Sequence, residues 1–319
     1  MNQELLAANV VIAVSRIAPH IRETPLDYSP FFSDLTGANV FLKLENLQFT
    51  GSFKLRGAFN KLLSLTPEQR AGGCVAASSG NHGAAVAFAM SKLGTQGVIF
   101  VPEGTSTTKM EAIKRAGGEL RFFGTKALDT EIHARQYASE YDMCYLSPYN
   151  DEDVIAGQGT CGVEIAQQLP QLDAIFVAVG GGGLISGVGS FLKSVNSALA
   201  VVACQPAASA VMTESVKAGE IVELPNLPTL SDGTAGGIEE NAITFDLCRV
   251  LTDDYVLVSE EQIAEAMRQF INAHHMLPEG AAGVALGGLI LRENEYKGKN
   301  VVVIICGGNI STETLKEIL

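Results

Sequence analysis

The chain has 319 residues, 47% of them hydrophobic and 18% charged, with 33 glycines. That is enough for a large buried core in two lobes, and it is the composition of a globular α/β protein rather than a disordered or fibrous one. Its 22 basic residues against 35 acidic ones give a formal charge of −13, which repels nucleic acid and anionic lipid, so neither is expected as a partner and any bound anion must be held locally by backbone donors.

In chain order, the N-terminal stretch MNQELLAANVVIAVSRIAPHIRETP reads as an amphipathic helix, with Arg22 and Glu23 leading out of it to Pro25. It lacks a basic start followed by a long apolar run. No run in the chain approaches the roughly 20 apolar residues that span a bilayer. Short apolar runs predict strands at 40–43, 74–77, 97–101, 119–123, 174–179, 200–204 and 301–306. Helical patterns at 84–92, 109–116, 128–141, 185–195 and 260–274 lie between or after them. Such alternation predicts βαβ units and largely parallel sheets covered by helices. Val301 to Ile305, apolar on both faces, belongs at the centre of a sheet. Residues 73–150 repeat the strand–helix alternation and are expected to close as a small lobe. The flanking segments, 1–72 and 151–319, would then form a larger lobe, with the chain crossing between the two twice. The six cysteines (Cys74, Cys144, Cys161, Cys204, Cys248 and Cys306) are scattered without a CxxC pair, which reads as reduced, mostly buried thiols in a cytoplasmic protein.

Three loops carry candidate chemistry. In Thr50-Gly51-Ser52-Phe53-Lys54-Leu55-Arg56-Gly57-Ala58 a lysine precedes a helical pattern rich in small residues. A lone lysine is usually a solvated surface group; it becomes a nucleophile when desolvation or neighbouring cations lower its pKa. Phe53, Leu55 and Arg56 are compatible with such surroundings. Ser78-Ser79-Gly80-Asn81-His82-Gly83 joins a strand to a helix with two hydroxyls, an amide and an imidazole, a set suited to a carboxylate. Its plain alternative is an N-cap cluster, which needs only one such residue. Gly180 to Gly183 follow a strong strand and open the helical pattern at Ile185. Their free N–H groups and the helix dipole suit a single phosphate, whereas a tight turn with close helix packing is the plain alternative. A dinucleotide fingerprint can be forced onto Gly181, Gly183 and Ser186, but its last glycine is missing, and no Walker lysine follows.

Ser52-Phe53-Lys54-Leu55-Arg56-Gly57, Ser78-Ser79-Gly80-Asn81-His82-Gly83, the tetraglycine run and Cys306-Gly307-Gly308-Asn309 occur in one order. Together they resemble the serine/threonine dehydratase and serine racemase family of fold-type II pyridoxal-phosphate enzymes, from about Pro25 to Asn309. The resemblance implies an α/β fold of the tryptophan synthase β type, with two open, twisted, mostly parallel sheets flanked by helices. It makes 1–72 with 151–319 the cofactor-binding domain and 73–150 the small domain. Lys54 would carry pyridoxal 5'-phosphate as a Schiff base with Phe53 against the ring. Gly180, Gly181, Gly182, Gly183 and Leu184 would bind the phosphate through backbone N–H groups, and Asn81 would meet the phenolic oxygen. Glu279 matches a glutamate near the cofactor, and Cys306 stands against the pyridine nitrogen. A neutral thiol there leaves the ring a shallower electron sink than an aspartate would, which favours loss of a β-leaving group. Ser78, Ser79, Asn81 and His82 would receive the substrate carboxylate.

The implied reaction removes water and ammonia from a small hydroxy-amino acid of the L-threonine or L-serine type to give a 2-keto acid, with Lys54 as general base. Ser79 stands where racemases and hydroxyaspartate lyases carry a second acid/base, so Lys54 and Ser79 are the catalytic candidates and racemisation is an alternative. Hydroxyaspartate lyase, β-replacement and a nucleotide-binding module are further alternatives. Gln205 and Val211 occupy positions where related racemases have cation-binding carboxylates, so no metal is expected there. The His274-His275 pair lacks ligand spacing and reads as a helix end. No arginine suits a second substrate carboxylate, and no regulatory domain is expected after the Cys306 motif. The resemblance also implies a homodimer.

Overall fold

The computed structural model describes residues 2–225 and 227–319. The strands are β1 Leu26–Tyr28, β2 Asn39–Leu44, β3 Cys74–Ala77, β4 Gly97–Val101, β5 Glu119–Phe122, β6 Cys144–Tyr145, β7 Ala174–Ala178, β8 Ala200–Pro206, β9 Asp254–Val258 and β10 Asn300–Ile305. The helices of the first half are α1 Gln3–Ile17, α2 Pro30–Thr36, α3 Lys54–Ser64, α4 Pro67–Gly72, α5 Asn81–Leu93, α6 Thr107–Arg115 and α7 Ala127–Glu140. Those of the second half are α8 Glu152–Gln168, α9 Gly183–Val195, α10 Val211–Ala218, α11 Ile243–Leu251, α12 Glu260–His274, α13 Gly280–Leu291 and α14 Thr312–Ile318.

Two sheets organise these elements. The larger runs β1-β2-β10-β7-β8-β9 and the smaller β5-β4-β3-β6. Every pairing is parallel except β1 with β2, which is antiparallel. The expected architecture of two mostly parallel sheets is what forms. β10 is flanked by β2 and β7, and its Val301 to Ile305 side chains are 0% exposed. A central parallel strand is covered on both faces, and only a continuously apolar run meets that demand. Seven predicted strands are present within a residue or two of their expected ends, and the predicted helices are present too. β1, β6 and β9 were not among the expected strands.

All strands of the smaller sheet lie between Cys74 and Tyr145, but its core does not stop there. Leu55, Ala58, Phe59 and Leu62 of α3 pack with Ala76, Ala85, Val86 and Ala89 in one apolar cluster. The helix that begins at Lys54 therefore joins the small sheet to the rest of the chain.

Beneath α3 lies an ionic cluster in which Lys43, Glu45 and Arg56 are fully buried and Glu164 is nearly so. The Arg56 guanidinium donates to both oxygens of Glu45, at 2.8 Å each, and to both oxygens of Glu164, at 2.6 and 2.8 Å. Lys43 Nζ donates to Glu164 Oε2 at 2.6 Å, Gln168 Oε1 at 2.9 Å and the Thr24 carbonyl at 2.7 Å. Two cations face two carboxylates, so the cluster is neutral, and Arg's planar fork suits two bidentate carboxylates. No helix among the described residues is long and apolar enough to cross a membrane.

Candidate active site

The singled-out residues gather past the carboxyl ends of parallel strands, where open α/β sheets bind ligands. Ser78 to His82 follow β3, Gly180 to Leu184 follow β7, and Cys306 follows β10. Lys54 is the first residue of α3.

Backbone pairing fixes Lys54 to the Cys306 motif. Phe53 N–H donates to the Cys306 carbonyl at 3.0 Å, Gly308 N–H to the Gly51 carbonyl at 2.9 Å, and Asn309 Nδ2 to the Thr50 carbonyl at 2.9 Å. Gly51 has φ +72° and faces Asn309 where a side chain would begin, so only glycine lets the two loops meet. Glu279 joins the same network. Its N–H donates to the Gly307 carbonyl, and its carboxylate accepts from Asn81 Nδ2 at 3.0 and 2.9 Å and from the Cys306 thiol at 3.6 Å. Asn81 Oδ1 accepts from Asn309 Nδ2 at 2.7 Å. In this structure the Asn81 amide is engaged by Glu279 and Asn309.

The segment after β6 touches all three loops. The Leu146 carbonyl accepts from His82 Nε2 at 2.9 Å, and the Pro148 carbonyl accepts from Lys54 Nζ at 2.8 Å. The Tyr149 ring lies where a Gly181 side chain would begin, while Tyr149 OH accepts from Glu239 N–H at 2.8 Å. Sequence reasoning missed Leu146, Pro148 and Tyr149. Their only signal is that they follow a strand, and a two-residue strand leaves no periodicity to detect.

The glycine run packs closely and leaves its amides open. Gly182 has φ +83°, and Thr234 crowds Gly180 as Tyr149 crowds Gly181. Among the described residues, no hydrogen bond uses the amides of Gly180, Gly181, Gly182, Gly183 or Leu184, and they open α9. The amides of Asn81, His82 and Gly83 likewise open α5 without partners among the described residues. Helix α5 starts at Gly80 with no side-chain cap, so the Ser78–His82 loop is not spent on capping. The site thus presents two helix N-termini, each a backbone anion cradle that needs no cationic side chain. Gly181→Ala should overpack the Tyr149 contact and cost about 1–3 kcal/mol; urea unfolding with an unchanged midpoint would refute this.

Electrostatics follow from burial. Burial lowers the Lys54 pKa to about 8, against the opposing pull of Cys306 and Glu279. Arg56, which the sequence places nearest, is not the cause: its charge is taken up by Glu45 and Glu164. Burial raises Glu279 to about 7 and pushes the Cys306 thiol well above its usual range. Burial, helped by the Lys54 charge, lowers His82 to about 3. His82 is therefore neutral. Its Nε2 carries the proton given to the Leu146 carbonyl, which leaves Nδ1 as an acceptor with no partner among the described residues.

Other expectations resolve simply. Gln205 is buried and committed to structure, donating to the Val179 carbonyl and accepting from Thr213 N–H and Oγ1. His274 ends α12, pairs with Ser29 at 2.8 Å and stacks on Phe270, and His275 caps the helix. Among the described residues no group of three or more His, Cys, Asp or Glu side chains converges as a metal site.

The profile of the family described as "Pyridoxal-phosphate dependent enzyme" matches residues 17–307. The L-threonine ammonia-lyase of Thermotoga maritima is 37% identical over 94% of this chain and 74% of its own length. Threonine deaminase isoform 2 of Solanum lycopersicum, in its processed form, superimposes with a TM-score of 0.95 at 32% identity, covering 100% of this chain and 93% of that one. Maize serine racemase superimposes with a TM-score of 0.92 at 30% identity, covering 97% and 95%.

Proposed function

Because the chain belongs to the pyridoxal-phosphate dependent enzymes, we propose that it eliminates water and ammonia from a small hydroxy-amino acid of the L-threonine or L-serine type, releasing a 2-keto acid. The observation that carries this reading is Lys54: a largely buried primary amine whose pKa burial lowers to about 8 and whose Nζ donates to the Pro148 carbonyl. A desolvated amine is available as nucleophile and base near neutral pH, where an exposed lysine is not.

The residues present fit the cofactor. Lys54 would tether it, the unpartnered amides of Gly180 to Leu184 would hold its phosphate, and Phe53 would lie along its ring. Asn81, Glu279 and Cys306 would line its polar edge. The buried thiol of Cys306 stays neutral and would offer the ring nitrogen no negative charge. When bound, pyridoxal phosphate supplies the electron sink that acidifies the substrate Cα–H.

The rest falls to this chain's own groups. The α5 N-terminus, with the Ser78 and Ser79 hydroxyls and the amides of Asn81 and His82, receives the substrate carboxylate. His82 contributes through its backbone, since its one imidazole N–H is committed to Leu146. Lys54 Nζ, once free, takes the Cα proton. Purified protein incubated with pyridoxal phosphate should release 2-keto acid from L-threonine or L-serine. Absence of release across a panel including threo-3-hydroxyaspartate would refute the reading.

Racemisation is favoured as a second reading by one observation. The Ser79 hydroxyl makes no hydrogen bond among the described residues and is free to act as a second acid/base at Cα. Ser79→Ala should abolish any exchange between serine enantiomers and leave 2-keto acid release within several-fold. Loss of both together would remove Ser79 from the acid/base role and leave it a contact of the substrate carboxylate.

The division into a large domain, 1–72 with 151–319, and a small domain, 73–150, is part of this reading, supported by the confinement of the smaller sheet's strands to the second segment. So are a cytoplasmic location, a homodimeric state, and the absence of nucleic-acid and membrane partners, the last two supported by the charge of −13.

A further inference from the structure

Cys74 and Cys144 lie far apart in sequence and face each other in the fold. They are register partners on the adjacent parallel strands β3 and β6. Adjacent strands run about 4.8 Å apart, within the roughly 4.4–6.8 Å Cα separation that disulfides span. Cys74 is fully buried, whereas Cys144 is half-buried on the edge strand of the smaller sheet. Both are free thiols. We propose that Cys74 and Cys144 form an oxidisable dithiol that hydroperoxides close to a disulfide, and that closure acts on the active site through residues 146–149.

The order of attack follows from the surroundings. The Cys74 thiol, hydrogen-bonded to the Cys144 sulfur, favours the Cys144 thiolate, and Lys61 adds to this against burial and the Asp151 and Asp153 carboxylates. Arg70 and Lys61 also lie near Cys74. The more accessible Cys144 thiolate attacks one peroxide oxygen, breaking the O–O bond to give a sulfenic acid and hydroxide. The Cys74 sulfur then attacks the sulfenic sulfur. An S–S bond forms, the S–O bond breaks, and the departing hydroxide leaves as water with the Cys74 proton. With hydrogen peroxide, two thiols and one oxidant give one disulfide and two waters.

The link to the site is short. Two residues beyond Cys144 the Leu146 carbonyl holds His82, and two residues further the Pro148 carbonyl holds Lys54. A disulfide sets its Cβ atoms about 3.8 Å apart with a Cβ–S–S–Cβ dihedral near about ±90°, so closure fixes the Cys144 backbone against β3 and constrains the segment that carries those carbonyls.

The test treats the pyridoxal-phosphate-loaded enzyme with hydrogen peroxide, alkylates the remaining thiols and maps peptides by mass. A cross-link between the Cys74 and Cys144 peptides is expected, with a several-fold fall in 2-keto acid release, both reversed by dithiothreitol. Cys144→Ser and Cys144→Ala should lose the cross-link and keep their activity through the treatment. Sulfinic acid on Cys144 beside an alkylated Cys74 would overturn the dithiol. A cross-link that left activity unchanged, or equal inactivation of Cys144→Ser, would overturn the coupling to residues 146–149. The cross-link is read by mass alone, so it stands or falls separately from the proposed reaction.

Discussion

Lys54→Ala should lower 2-keto acid release by roughly 10³-fold or more, because one residue would supply both the cofactor tether and the general base, and positioned acid–base groups alone contribute about 10²–10⁴-fold. The wild type incubated with pyridoxal phosphate and reduced with borohydride should yield a cofactor-labelled peptide containing Lys54; the variant should yield none. Label on the variant, or activity within tenfold of wild type, would remove Lys54 from its assigned role. The same side chain makes a separate prediction for the cofactor-free protein. Burial depresses its folded pKa to about 8 from an ordinary 10.5. Between those values the unfolded chain binds more protons than the folded one, so stability rises with pH across that window, and below it the cost of burying the charge is constant. Lys54→Met should therefore stabilise the apo-protein near pH 7 by on the order of 3 kcal/mol. The gain should fade as the pH rises from 8 to 10.5, measured by urea unfolding at several pH values. A gain independent of pH would mean that packing, not charge, is its source.

Arg56→Ala should destabilise the fold by about 3–5 kcal/mol, the usual consequence of removing one partner from a buried ion cluster. The variant leaves Glu45 wholly buried without the guanidinium that binds both its oxygens, and Glu164 with Lys43 alone. Burial by itself would raise the Glu45 pKa, but the Arg56 and Lys43 charges outweigh it and hold Glu45 below its ordinary value. That contribution is present above an unfolded pKa of about 4.5 and is lost as pH falls through the folded value. The deficit of Arg56→Ala should accordingly be largest at neutral pH and shrink in acid, where Glu45 can protonate. Thermal unfolding of both proteins across this range tests it, and a deficit that grew in acid would refute the assignment. A paired Arg56→Met, Glu45→Met change should recover part of the loss, since a well-packed apolar pair can replace a buried ionic one.

What could be read in advance followed from local physics. The run Val301 to Ile305 is apolar on both faces and became the central strand β10. The glycine run at 180–183 and the Ser78–Gly83 loop sit where a strand stops and a helix starts, and each could be recognised there without knowing its partners. β1 and β6 escaped because three and two residues leave no period to detect, whereas β9 carries the apolar run Tyr255 to Val258 and was legible in principle. The weight of His82 changed for a different reason. Its residue type suggested a donor to a carboxylate, but its depth in the fold and the Leu146 carbonyl make it neutral and commit its proton.

The sequence by itself determined the alternation that builds two parallel sheets and the loops that end their strands, because turn glycines, apolar runs and helical periods act over a few residues. It also placed Lys54 at the start of a helix. It could not show that Lys54 titrates near pH 8, that Arg56 is neutralised beneath it, or that Cys74 faces Cys144. Those facts depend on Pro148, Glu279, Glu45 and strand β6, which only the closed fold brings near. Burial and hydrogen bonding at a point are set by whatever the chain returns there, and that return is decided by tertiary structure.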